Sequence, residues 1–135
     1  MKILQCPCHS GKNYADCCQS VHQLLNASNA LALMRSRYSA YALGNIDYIM
    51  ATTDPYNPHY KSDKSVWKNE LNEFCKMTKF EGLDIISFED GDSVAYVTFR
   101  AHLKQYNQKV SYKEKSRFKK INDRWMYSSG EVTPA

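Results

Sequence analysis

Four cysteines crowd the start of the chain, in the string Cys6-Pro7-Cys8-His9-Ser10-Gly11-Lys12-Asn13-Tyr14-Ala15-Asp16-Cys17-Cys18. A Cys-x-Cys pair brings two thiolates together on an extended turn. A Cys-Cys pair further on can present two more from the start of a helix, and Gly11 permits the reversal between the pairs. Four soft ligands in this pattern suit a tetrahedral zinc ion, in a closed site with no coordination position left for substrate. A zinc tetrathiolate carries about two net negative charges, which Lys12 is placed to offset, while loop amides can donate to the sulfurs. Disulfide-linked cysteines and an iron–sulfur cluster are the alternatives. The first needs an oxidising compartment, which nothing here suggests, and the spacing differs from common ferredoxin runs. His9 and His22 are conceivable replacement ligands, but with four cysteines available they are read as bystanders.

A second set of residues concerns buried charge. Along the segment around Glu114, alternation puts Tyr112, Glu114, Ser116 and Phe118 on one face of a strand and Lys113, Lys115, Arg117 and Lys119 on the other. Four unpaired cations cannot be buried, so Glu114 is carried inward. Its expected partner is Arg35, which shares a helix face with Tyr38 and Tyr41. Arg37 is assigned to a different face. Trp125 and Tyr127 complete the same wall from the next strand. Together Arg35, Tyr38, Tyr41, Glu114 and Trp125 outline either an ion pair fixing helix against sheet or a small pocket with a charged floor. The ion pair is the reading preferred, because buried charges are mostly paired for structural satisfaction. A catalytic pair would need a second acid or base; His102, on a polar strand face, and His59, in a Pro-rich loop, supply no clear one, so an enzyme is the less favoured reading. Cys75 reads as a small core residue.

The elements that must position these residues follow from caps and periodicity. Ser28 or Asn29 can cap a helix from Ala30 to Leu43 with Gly44 as its stop, and Asn45 a short helix through Met50. The prolines of 53–58 mark a loop. A third helix spans Ser65 to Thr78, with Trp67, Leu71, Phe74, Cys75 and Thr78 inward and Gly82 beyond it. The period then changes to two, giving strands Leu83–Glu89, Val94–Tyr106, Lys109–Ile121 and Arg124–Val132 joined by short turns. The expected fold is α+β: an N-terminal zinc knuckle over residues 1–22, then three helices packed on a curved antiparallel sheet over residues 28–135. A knuckle this short has no core of its own, so it is expected to fold only with metal and to unfold alone, leaving the main domain folded.

With a net charge of +4 and 24% charged residues, the chain reads as an ordinary globular protein, neither disordered nor demanding a nucleic-acid partner. The positive charge gathers between Arg100 and Arg124. Such a basic face can meet ribosomal RNA or an acidic chaperone, but a solvated face is the preferred reading, because the aromatics point the other way. No stretch approaches a membrane span, and Met1-Lys2-Ile3-Leu4 leaves no room for a leader before Cys6, so the cytoplasm is the expected compartment.

The string from Cys6 to Cys18 resembles the SEC-C motif, named from the zinc-binding tail of the SecA preprotein translocase, with His9 where glycine is usual. The run from Ala32 to Gly44, Glu114-x-Ser116-x-Phe118 and Arg124-Trp125-x-Tyr127 resemble the bacterial YchJ family. That resemblance implies a middle domain similar to the cone of nuclear transport factor 2, and it implies no established activity. Many such proteins carry a second SEC-C motif after the cone; none occurs up to Ala135. The leading expectation is a zinc-binding adaptor docking on a cytosolic protein or ribonucleoprotein, in translocation, chaperoning or at the ribosome. The competing one is a small-molecule binder or enzyme using the cone interior. An open cavity would favour the second and a filled core the first.

Overall fold

The computed structural model describes residues 4–134; residues 1–3 and 135, which the expected boundaries and the reading of the N-terminus include, lie outside the described residues. After a 3-10 turn at Tyr14–Asp16 come four helices: α1 Cys18–Leu24, α2 Ala30–Leu43, α3 Ile46–Ala51 and α4 Lys64–Met77. Five strands follow: β1 Thr78–Glu89, β2 Val94–Gln105, β3 Gln108–Lys109, β4 Tyr112–Ile121 and β5 Arg124–Pro134. They form one antiparallel sheet in the order β1-β2-β4-β5, with β3 beside β2. This is the expected α+β arrangement. Among the described residues no helix is long and apolar enough to cross a membrane.

The local chemistry is visible at the element ends. Asn29 accepts from the Ala32 amide at 2.8 Å and starts α2, and Gly44 stops it at φ 72°. Asn45 accepts from the Tyr48 amide at 3.3 Å and starts α3. Asp63 caps α4 one residue earlier than expected. Tyr106-Asn107 and Asn122-Asp123 all adopt positive φ, between 50° and 66°, the geometry of two-residue hairpins.

Two strands differ from expectation. β1 begins at Thr78, directly from the last turn of α4, rather than at Leu83, so Gly82 does not lie between helix and strand. It sits inside the strand at a register shift, where a Cβ would approach the His102 ring at 3.1 Å. The expected third strand is split at Val110-Ser111. There the Ser111 hydroxyl takes the place of a ladder partner, accepting from the Leu103 amide at 3.0 Å.

Helices α2 and α3 pack on the sheet's inner face through Leu33, Ile49, Ala95, Val97 and Phe118, all essentially inaccessible. α2 is buried on a second side as well, because the knuckle lies against it. His22, on α1, ties the two: one ring nitrogen donates to the Ser36 carbonyl at 2.7 Å, and the other accepts from the Tyr14 hydroxyl at 2.6 Å. Its ring also stands edge-on to Tyr48, 4.7 Å between centroids. Burial pushes its pKa down, consistent with a neutral ring in that role. His9 extends the seam, packing edge-on to Tyr38 and reaching the Phe80 carbonyl.

This seam argues against an independently unfolding knuckle. Stripping the metal with a chelator should remove the packing on one flank of α2, and so lower the main thermal transition by about 5–10 °C rather than leave it in place. Calorimetry of metal-loaded and chelator-treated protein checks this; an unmoved main transition would show that α2 stands without its outer cover.

Candidate functional site: a four-cysteine knuckle beside an open cone

The Sγ atoms of Cys6, Cys8, Cys17 and Cys18 all lie within 4.8 Å of one another. The Cys8–Cys17 and Cys17–Cys18 separations are 3.6 and 3.9 Å, against the roughly 3.8 Å edge of a tetrahedron built on ~2.3 Å metal–sulfur bonds. Gly11 at φ 87° and His9 at φ 60° make the turn that brings the pairs together. The Cys6 amide donates to the Lys12 carbonyl at 2.8 Å and the His9 amide to the Cys6 carbonyl at 3.2 Å. Ser10 Oγ lies 3.3 Å from Cys17 Sγ. With no cation, hydrogen bonds from Cys18 lower the Cys8 thiol to about 4, while burial pushes Cys6 up to about 11 and the bond to Cys8 pushes Cys18 up. Burial and mutual hydrogen bonding thus favour the protonated Cys6 and Cys18 thiols. A metal ion must therefore displace protons, and its affinity must rise with pH.

Arg35 belongs to this site. Its Nη1 donates to the Cys8 carbonyl at 3.1 Å and lies 3.9 Å from Cys8 Sγ. Lys12, expected to offset the cluster's charge, is exposed. The expected Arg35–Glu114 pair is therefore not formed. The physical reason is that α2 has two buried sides. Arg35 shares its side with Tyr38 as expected, but that side faces the knuckle as well as the edge of the cone.

The cone interior holds a cavity of about 490 Å³, open to solvent, and its arginine is Arg37. Nη1 of Arg37 donates to the Ile49 carbonyl at 3.1 Å and to the Thr52 and Thr53 hydroxyls at 2.8 and 3.1 Å, capping the end of α3. The guanidinium lies 4.7 Å above the Tyr127 ring centroid. Glu114 is inward as expected, with Tyr127 donating to its Oε2 at 3.0 Å and Ser116 to the same oxygen. Burial, then the Glu114 charge, pushes the Tyr127 and Tyr112 hydroxyls well up, so both remain protonated donors. Tyr38 and Tyr41 line the cavity; Tyr38 is pushed up to about 12, chiefly by burial, and donates to the Gly82 carbonyl at 2.8 Å. Trp125 does not line it. It is buried at the other end of the sheet, beside Leu25, Leu33 and Tyr48. His59 stands among the lining residues, while His102 pairs with Asp84 at 2.7 Å on the outer face.

Two contributors escape sequence reasoning. The loop after α3 is fastened to β5 by Asp54 N–H to the Tyr127 carbonyl at 2.9 Å and Tyr127 N–H to the Thr52 carbonyl at 2.8 Å. Gly130 lies opposite Ser116, where a Cβ would stand 2.5 Å from Glu114 Oε2 and 2.6 Å from the Tyr127 oxygen.

These two sites, a four-cysteine knuckle and a helix-walled cone, match family models in the same order. Residues 5–20 match the SEC-C motif, and residues 29–130 match the YchJ middle domain, described as NTF2-like. The chain belongs to the YchJ-like family. A UPF0225 protein of Actinobacillus succinogenes is 38% identical over 130 residues, covering 94% of this chain and 81% of the relative. Two solved SEC-C motif containing proteins share the fold over nearly the whole chain. One, from Rhodopseudomonas palustris, gives a TM-score of 0.79 at 33% identity, covering 95% of this chain and 98% of that one. The other, from Psychrobacter arcticus, gives 0.77 at 28% identity, covering 96% and 83%. Both units of this YchJ-like chain thus lie within one shared structure.

The two arginines separate cleanly by experiment. Arg35→Gln should weaken metal binding about 10- to 100-fold, as loss of an outer support does, whereas Glu114→Gln should leave it unchanged; competition with a chromophoric chelator measures both. Equal effects would join sites that the geometry keeps apart. Gly130→Ala should cost about 1–3 kcal/mol in urea unfolding, because Glu114 and Tyr127 must both move. An unchanged midpoint would mean that the Glu114 carboxyl swings away freely.

Proposed function

We propose that this YchJ-like protein binds a small molecule in its cone, and that the knuckle holds a zinc ion whose work is to brace one wall of that cavity. The supporting observation is the cavity itself: open, about 490 Å³, and lined by Arg37 and Glu114, two buried charged side chains that do not pair with each other. Such a volume is in the ordinary range for small-molecule sites. A core with only a structural task would be filled, since an unfilled interior forfeits packing energy. Zinc is the metal that a closed set of four thiolates favours, and a reducing compartment such as the cytoplasm keeps those thiolates available. The knuckle braces the cavity because α2 carries Arg35 against Cys8 and Arg37 into the cone.

A docking role is a second reading, supported by the basic outer face of the sheet. There Arg100 stands opposite Lys113, and Tyr96 opposite Arg117, with Lys115 and Lys119 alongside. An acidic protein or ribonucleoprotein partner would suit it. Capture of a defined acidic partner by the native protein, lost in a Lys113→Glu/Arg117→Glu variant, would favour that reading.

Metal analysis of protein purified without added metal should find one zinc per chain; a value near zero in reduced, folded protein would remove zinc from the proposal. For the cavity, a fragment screen by ligand-observed NMR should yield binders that also perturb the Trp67 indole. Leu71→Trp, which adds bulk to the lining, should abolish them. Binders indifferent to Leu71→Trp would place the binding elsewhere.

A further inference from the structure

We propose that the cavity takes a neutral, planar heterocycle that offers a hydrogen-bond donor to Glu114 and an acceptor to Arg37. The inference rests on the reading of the cone as a ligand site and specifies its ligand. It begins with the unused valences of the two charged groups. Each is only 8% exposed. Both hydrogen bonds to Glu114 go to Oε2. Its Oε1 has no protein partner among the described residues, yet no described buried side-chain atom is left unsatisfied, so Oε1 retains access to the cavity. All three bonds of Arg37 leave from Nη1. Its Nε and Nη2 groups have no protein acceptor among the described residues. One acceptor and one donor group thus line the same space, joined through Tyr127, which lies under the guanidinium and bonds to the carboxylate.

Charge then selects the ligand. The two groups cancel, so a neutral molecule meets a neutral floor. An anion would satisfy Arg37 but face Glu114, and a cation the reverse; beside charged groups that are themselves buried, either repulsion is costly. A zwitterion would match both groups but would have to shed the hydration of two charges between apolar walls. Those walls set the shape. Tyr41, Phe74 and Phe80 stand mutually edge-on or tilted, and Tyr38 stands edge-on to Phe80, with 5.7–6.3 Å between centroids. Phe99 and Tyr112 form a further edge-on pair in the same lining, 6.2 Å apart. Flat faces and edges of this kind favour another flat ring. Gly130 keeps the carboxylate where it is, since any side chain there would collide with Glu114 and Tyr127.

Four probes of similar size and different charge test this: quinolin-2(1H)-one, benzoate, benzamidine and L-phenylalanine. Titrations of the full, metal-loaded chain, followed by amide and Trp67 indole shifts in NMR, give the affinities. The lactam should bind the native protein at least tenfold more tightly than each of the other three. In Glu114→Gln, benzoate should gain at least tenfold, because Arg37 then lacks its counter-charge, and benzamidine should not gain. Any charged or zwitterionic probe that equals the lactam on the native protein overturns the proposal. So does a folded Glu114→Gln variant whose benzoate affinity is unmoved. If that variant does not fold, the ranking of the four probes on the native chain decides alone. Failure of all four to bind overturns the proposal, while the reading of the cone as a ligand site stands or falls by the fragment screen.

Discussion

Helix α2 is held on two sides at once, and the placement of everything else depends on that. A helix on a sheet normally buries one face and leaves the other to water. Here the knuckle takes the place of water on one outer flank, through His22 on the Ser36 carbonyl, Arg35 on Cys8 and His9 on Tyr38. Buried residues therefore run almost continuously from Leu33 to Ala40, including Ser36, Arg37 and Ser39. Polar side chains on such a helix need partners inside the protein. Ser36 finds Tyr48 and its own helix, and Arg37 finds the end of α3. The knuckle is thus a wall of the domain as much as an appendage to it.

That double burial also marks how far the sequence is legible. The four cysteines were readable because a metal site imposes residue type and spacing together, and neither depends on the rest of the fold. The helix caps Asn29 and Asn45 and the inward turn of Glu114 were readable because each follows from a period or cap within one element. The partner of Glu114 was not, because it requires knowing which flank of α2 meets which neighbour. Two arginines two positions apart exchange roles once a second surface covers the helix. Trp125 was misplaced for a related reason. It shares a sheet face with Tyr127, but the helices cover that face unevenly, so Trp125 lies in filled core while Tyr127 lies at the cavity. Gly82, expected only to lie beyond the third helix, and Gly130 are positions where a side chain from elsewhere comes close, His102 in one case and Glu114 in the other. A single sequence carries no signal for such approaches.

The cavity survives because the elements around it are fixed from outside. The loop after α3 is tied to β5 by paired backbone hydrogen bonds and by Asn57, whose amide donates to the Ser128 carbonyl at 2.8 Å. The bulge that skips Ser128 in the pairing of β4 with β5 turns that backbone toward the loop. On the far side, Lys61 and Glu70 form an ion pair between the loop and α4 among the residues that line the opening. A hydrophobic interior left unfilled tends to collapse unless its walls are held apart. In this chain the walls are held by backbone hydrogen bonds at one end and by the knuckle at the other.

The division of labour between the two arginines follows from charge. A divalent ion held by four thiolates would leave excess negative charge on the outer flank of α2, where Arg35 stands beside Cys8 with a side chain that does not enter the cone. Arg37 is then free to serve the interior, where the partial negative charge at the end of α3 fixes one of its nitrogens. Had a single arginine served both sides, occupancy of the metal site and the charge of the cavity would have been locked together. Two residues on one helix keep the sites electrostatically separate while α2 joins them: Arg35 meets the knuckle and Arg37 the cone, so the charge that Arg37 presents does not depend on the knuckle.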